Sequence, residues 1–168
     1  REYIIIYKIK EPKWDPLKTQ LVLTSFEQMS LQYAEGAKDA ESLLFDHRSK
    51  ELIIITKREK NCHIYSFPFQ ANTHPSSITS KGTLPITHFT AGDIHPSTGE
   101  ILLKTYKKIY YWGASEDPAV VRIATGPDYT LPYTKEPQGE AIAWTDNGFV
   151  TLSERKEKKQ RFYIYTRK

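Results

Sequence analysis

Residues 90–112 read TAGDIHPSTGEILLKTYKKIYYW. Three runs rich in apolar, β-branched and aromatic residues, Thr90-Ala-Gly-Asp-Ile94, Ile101-Leu-Leu-Lys-Thr105 and Lys108-Ile-Tyr-Tyr-Trp112, are divided by Pro96-Ser-Thr-Gly99 and by a short polar step. Short runs of this composition between turn residues are strands in hairpins. The pattern recurs upstream as Glu41-Ser-Leu-Leu-Phe-Asp46, Leu52-Ile-Ile-Ile-Thr56 and Cys62-His-Ile-Tyr-Ser66, with His47-Arg-Ser-Lys50 as its turn. Downstream it recurs as Glu140-Ala-Ile-Ala-Trp144, Phe149-Val-Thr-Leu-Ser153 and Phe162-Tyr-Ile-Tyr-Thr166, with Asp146-Asn-Gly148 as its turn.

The matched positions Glu41, Thr90 and Glu140 are spaced by 49 and 50 residues, and the hydroxyls Thr56, Thr105 and Ser153 by 49 and 48. The dipeptide Ile-Tyr closes a strand run four times, at Ile6-Tyr7, Ile64-Tyr65, Ile109-Tyr110 and Ile164-Tyr165. A further strand ends in Thr83-Leu-Pro85 and again in Thr130-Leu-Pro132, with Leu21-Val-Leu23 as the expected counterpart ahead of the first unit. Four antiparallel strands in roughly 50 residues is the size of a β-propeller blade. The reading is therefore all-β: a β-propeller of about three complete four-stranded blades plus one strand of a preceding blade. That strand falls at about 1–12 and the blades at about 18–70, 80–114 and 119–168. Helix signals are poor, and Ser25 to Ala34 is the one stretch that passes for a helical turn or two.

Three blades and an orphan strand do not close a ring, since propellers run to at least four blades. The chain opens on an Ile-Tyr strand and begins with Arg1. The expectation is that N-terminal blades lie elsewhere, in a cleaved part of the same precursor or in a separate chain. A self-contained sandwich or a swapped assembly is the alternative.

Composition narrows function mainly by exclusion. The formal net charge is +4, and much of the excess comes from Lys156, Lys158, Lys159, Arg161, Arg167 and Lys168. With Glu154 and Glu157 among them, Glu154 to Arg161 reads as a solvated hairpin tip rather than a phosphate-binding patch, so nucleic acid is not the expected partner. Cys62 is the only cysteine, which rules out an internal disulfide. No apolar run is long enough to be a membrane-spanning helix. G-x-S-x-G, P-loop, G-x-G-x-x-G and H-E-x-x-H motifs are all missing.

Chemistry is sought where each unit's first strand would line a central channel. Glu41 and Glu140 occupy matched positions there, with Asp39 and Asp93 nearby. Carboxylates from successive blades suit a hard cation such as Ca²⁺; equally, each could accept a hydrogen bond from the neighbouring blade's backbone as a latch. Glu41, Asp93 and Glu140 are the candidate metal ligands, and Trp144 joins them as a candidate ligand-binding residue. Asp93, His95 and His88 form a weaker transition-metal alternative, since Pro96 places His95 at a strand end. Gly92 and Gly139 mark close backbone approach. The aromatics Trp112, Tyr110, Tyr111, Tyr163 and Tyr165 read as blade-to-blade packing.

Asp39-Ala-Glu-Ser-Leu43, Thr90-Ala-Gly-Asp-Ile94 and Glu136-Pro-Gln-Gly-Glu-Ala-Ile142 resemble phrases in a group of largely uncharacterised bacterial β-propeller proteins, distantly similar to phytase-like and lactonase-like propellers. The resemblance covers Gly36 to the C-terminus. It implies a propeller, blades preceding Arg1 and an extracellular or periplasmic setting, and it carries over no active site. The functional expectations are a binding or scaffold module with a channel-mouth site, a metal-dependent hydrolase of phosphoesters or lactones on the same carboxylates, or a structural subunit completing a ring with another polypeptide.

Overall fold

The computed structural model describes residues 3–13, 15–17, 19–154 and 160–167. In chain order the strands are β1 (Ile4–Lys8), β2 (Glu27–Tyr33), β3 (Ala40–Asp46), β4 (Glu51–Thr56), β5 (Cys62–Pro68), β6 (Ser76–Ile78), β7 (Gly82–Leu84), β8 (Phe89–Ile94), β9 (Ile101–Thr105) and β10 (Ile109–Trp112). A short helix α1 (Ala119–Thr125) precedes β11 (Tyr129–Leu131), β12 (Gly139–Thr145), β13 (Gly148–Ser153) and β14 (Phe162–Thr166). The protein is all-β, built from four small sheets ordered β1-β2-β6, β3-β4-β5-β7, β8-β9-β10-β11 and β12-β13-β14. No helix among the described residues is long and apolar enough to cross a membrane.

Three hairpins share the same local devices. Lys50, Gly99 and Gly148 take positive φ in the turns between the first two strands of their units, where hairpins demand a left-handed residue. The recurring hydroxyl caps the start of the next strand. Thr56 Oγ1 accepts from the His63 amide at 2.9 Å, Thr105 Oγ1 from Lys108 at 3.1 Å, and Ser153 Oγ from Arg161 at 3.1 Å. At the start of each first strand the register slips by one residue, between Ala40 and Ser42, Phe89 and Ala91, and Gly139 and Ala141. The residues skipped are Glu41, Thr90 and Glu140. The matched positions of the sequence are thus three equivalent β-bulges, a device that re-aims one side chain out of the ladder.

The sheets stack face on face. β8 lies beside both β3 and β12, so the first strands of three successive sheets run side by side. One core joins the second and third sheets through Leu44, Ile53, Ile55, Ile64, Phe89, Ile101, Leu103 and Trp112. Smaller cores join the first sheet to the second around Leu31, Ile54 and Tyr65, and the third to the fourth around Leu102, Ile109 and Phe149.

Several expectations need correction. The Thr83-Leu84 and Thr130-Leu131 strands pair with β5 and β10, the sheets before them, rather than with the units they precede. Their counterpart is β2 on β1, whereas Leu21-Val-Leu23 forms no strand. The stretch Ser25 to Ala34, the one that passed for a helical turn, contains strand β2, as the poor helix signals implied: Met29, Leu31 and Tyr33 alternate and are buried, and period-2 burial outweighs the helix propensity of Glu, Gln and Met. The helix is Ala119–Thr125, where Ala119 and Ile123 are buried. The Ala71–Ser80 loop contains β6, parallel to β2. Asn72 helps hold it there, accepting from the Ser30 amide at 2.8 Å and donating to the Ser30 carbonyl at 3.1 Å. Most of the tip expected at Glu154 to Arg161, residues 155–159, lies outside the described residues.

Candidate functional site

The bulged residues open a row of polar side chains along the starts of the first strands. Glu41 Oε2 accepts from Lys57 Nζ at 2.5 Å, Lys57 Nζ lies 3.0 Å from Tyr106 Oη, and Tyr106 donates to Glu140 Oε1 at 2.7 Å. Lys57 and Tyr106 each follow one of the matched hydroxyls, Thr56 and Thr105. The row is therefore assembled from repeat positions and crosses from the second sheet through the third to the fourth. Lys57 is buried, which works against its charge, but its bonds to Glu41 and Tyr106 outweigh burial and raise its pKa.

A second cluster lies beneath this row. Thr90, the third bulged residue, donates to the Gly139 carbonyl at 3.2 Å. Lys104 Nζ donates to the same carbonyl at 2.7 Å and to Tyr133 Oη at 3.0 Å, and stands 3.8 Å from Glu136. Both side chains of that ion pair are fully buried. Burial lowers the Lys104 pKa, against the pull of Glu136 and Glu140. Glu136 also accepts from Thr151 Oγ1. A Cβ at residue 139 would run into Glu136 Oε2 and Lys104 Nζ and displace the tips of that pair. Gly92 likewise lies against Leu103 and Leu44. The close approach expected at both glycines is packing, in one case around a charged pair.

Asp93 stands three residues past Thr90, ~10 Å along the strand. Its Oδ2 accepts from the Trp144 amide at 2.8 Å, linking the third sheet to the fourth. The structure thus brings Glu41 and Glu140 into one bonded row, and Asp93 and Trp144 into a separate contact. Among the described residues no three His, Cys, Asp or Glu side chains gather closely enough to hold a metal ion together. His95 Nδ1 faces the Ser97 and Thr98 amides of its own turn. His88 is exposed at positive φ, its amide bonded to the Lys57 carbonyl at 2.7 Å.

Trp144 leads to a cleft of about 600 Å³ between the outer parts of the third and fourth sheets, lined by Glu100, Tyr111, Phe149, Tyr165 and Arg167. The Arg167 guanidinium lies 5.0 Å from the Trp144 ring centroid and 2.7 Å from Glu100 Oε2. Tyr111 Oη donates to Glu100 Oε1 at 2.6 Å, and Thr98 Oγ1 to Oε2 at 2.6 Å. Burial alone would raise the Glu100 pKa, but the bonds from Thr98, Tyr111 and Arg167 prevail and hold it below its usual 4.5. Burial and the Glu100 bond push the Tyr111 phenol up to about 12. Glu100 and Arg167 were not anticipated as site residues; the sequence shows only an acid before β9 and a basic C-terminus.

A carboxyl with a lowered folded pKa contributes stability that is present above its unfolded value and is lost as pH falls through the folded value. The melting temperature is accordingly expected to hold from pH 7 to about 5 and to fall below about 4.5. Glu100→Gln should flatten part of that fall, and an unchanged acid limb in a calorimetric pH series would show that Glu100 does not drive it.

No family model, curated protein or solved structure matches this chain.

Proposed function

We propose that the protein is a scaffold or binding module of β-propeller type, its four sheets serving as blades, and that the carboxylates at the starts of the inner strands are latches between blades. The observation that carries this reading is the Glu41–Lys57–Tyr106–Glu140 row, in which repeat-matched acids are bonded to repeat-matched donors across two sheet junctions. Lys57 and Tyr106 already bond the acids a cation would use. A concave surface for a small ligand is the cleft beside Trp144. The resemblance to uncharacterised bacterial propellers forms part of the same proposal. A Ca²⁺ site on Glu41, Asp93 and Glu140, a phosphoester or lactone hydrolase built on it, and a subunit completing a ring with blades on another polypeptide are its competitors.

Tyr106→Phe removes the hydroxyl that joins Lys57 to Glu140 and is expected to cost about 0.5–1.5 kcal/mol, the net worth of a typical hydrogen bond, since Glu140 is half-buried and Lys57 keeps Glu41. Added Ca²⁺ should leave the melting temperature of the unaltered protein where it is. A rise with millimolar Ca²⁺ that Glu140→Gln abolishes would replace the latch with an ion site.

A further inference from the structure

At the junction of the second and third sheets, α1 packs against β5 and β7, and the Trp112 indole at the end of β10 donates to its Arg122 carbonyl at 3.0 Å. Counted from the Ile-Tyr dipeptides, Trp112 is matched by Arg167, just past β14. Counted from the Thr-Leu-Pro segments, Leu84 of β7 is matched by Leu131 of β11. Arg167 and Leu131 both line the cleft beside Trp144. A donor thus stands at the same place in both junctions. In the first it is neutral and is met by a helix carbonyl; in the second it is a cation that lines a cleft.

That cation is held in place and only partly used. Glu100 Oε2 takes one of the five guanidinium donors, at 2.7 Å, and the Trp144 ring centroid lies 5.0 Å away. Among the described residues no other acceptor bonds to the group. The Glu100 side chain is 7% exposed and that of Arg167 49%, so the outward partner of the pair is the cation. Glu100 is already met by Tyr111 and Thr98 as well. The rest of the lining is mostly apolar or aromatic, with Leu131, Pro132, Phe149 and Tyr165. The volume of about 600 Å³ suits a small molecule.

Resting on the reading of this cleft as a concave surface for a small ligand, we propose that it binds a small carboxylate with an aromatic or aliphatic body. The carboxylate accepts from the remaining Arg167 donors, as the Arg122 carbonyl accepts from Trp112, and the body lies against Tyr111, Leu131 and Phe149. A guanidinium fork matches a carboxylate bidentately. Fixed beforehand by Glu100 and Trp144, Arg167 has little freedom left to lose on binding.

Calorimetric titration of the chain with phenylacetate and with hexanoate tests this, with phenylacetamide and hexanamide as uncharged controls. One or both carboxylates should bind, at least about tenfold more tightly than the matching amide, the margin of one charge-assisted hydrogen bond. Arg167→Gln should remove that margin with an unchanged circular dichroism spectrum. Arg161→Gln, at the other end of β14, should leave it intact. Equal binding of acid and amide, carboxylate binding that survives Arg167→Gln, or no binding of either carboxylate overturns the proposal. Each of these leaves the latches between blades standing, because Tyr106→Phe tests them separately.

Discussion

Lys104→Met is expected to lower the unfolding free energy by about 3–5 kcal/mol, the range for removing one partner of a buried ion pair. The ammonium group and Glu136 are both fully buried, 3.8 Å apart. The same ammonium donates to the Gly139 carbonyl and to Tyr133 Oη. Methionine fills the volume but leaves the Glu136 carboxylate facing an apolar neighbour, with Thr151 Oγ1 as its remaining donor. Adding Glu136→Gln to Lys104→Met should restore part of the loss, because the amide oxygen still accepts from Thr151 and no charge is stranded. Urea titrations of the two single variants and the double form the cycle. A loss under about 1 kcal/mol for Lys104→Met would mean that water reaches the pair, a solvated pair being worth no more than that.

Trp112→Ala should cost about 3–5 kcal/mol, the range for emptying a buried aromatic site. Trp112 is 2% exposed in the core shared by the second and third sheets. Its indole N–H donates to the Arg122 carbonyl of α1 at 3.0 Å. Arg122 in turn donates to the Gly99 carbonyl at 2.7 Å. Losing the indole therefore opens a cavity and takes the Trp112 donor from the Arg122 carbonyl. At ~2–4 °C per kcal/mol for a chain of this size, the melting temperature should drop by roughly 10 °C. Trp112→Phe keeps most of the packing and should lose about a third as much. Equal effects of the two would show that the hydrogen bond, and not the volume, is what counts.

The strand runs, their turns and their period were legible because local chemistry specifies them. Alternation, positive-φ turn residues and capping hydroxyls act over a few residues and repeat with the unit. The sequence also marked Glu41, Thr90 and Glu140 as equivalent. It did not show that they are bulges, since a bulge is a relation between two strands. Lys57 and Tyr106 had a usable signal, one residue past the matched hydroxyls, but Lys and Tyr share no side-chain chemistry that links them until the sheets stack. Lys104 had one too: it stands at the position matched by Ile55 and Leu152, a charge where the other two units have an aliphatic side chain.

Other decisions belonged to the tertiary structure alone. The Thr-Leu-Pro strands could join the sheet on either side, and only edge pairing with β5 and β10 assigns them. Ala119–Thr125 contains Val120, Val121 and Ile123 and follows Pro118, whose side chain makes no cap bond, so β-branched propensity favours a strand there; the amide of Ala119 is capped instead by Asp46 Oδ2 at 3.0 Å, from the second sheet. Burial of Ala119 and Ile123 in the core of the second and third sheets makes it a helix. Asp93 and Trp144 share no local pattern; their contact exists because β8 lies beside β12. The sequence by itself determined the strands, turns and caps, because these are short-range. Tertiary structure decided which units touch and which carboxylate meets which donor, because burial and long-range pairing arise only when the sheets are stacked.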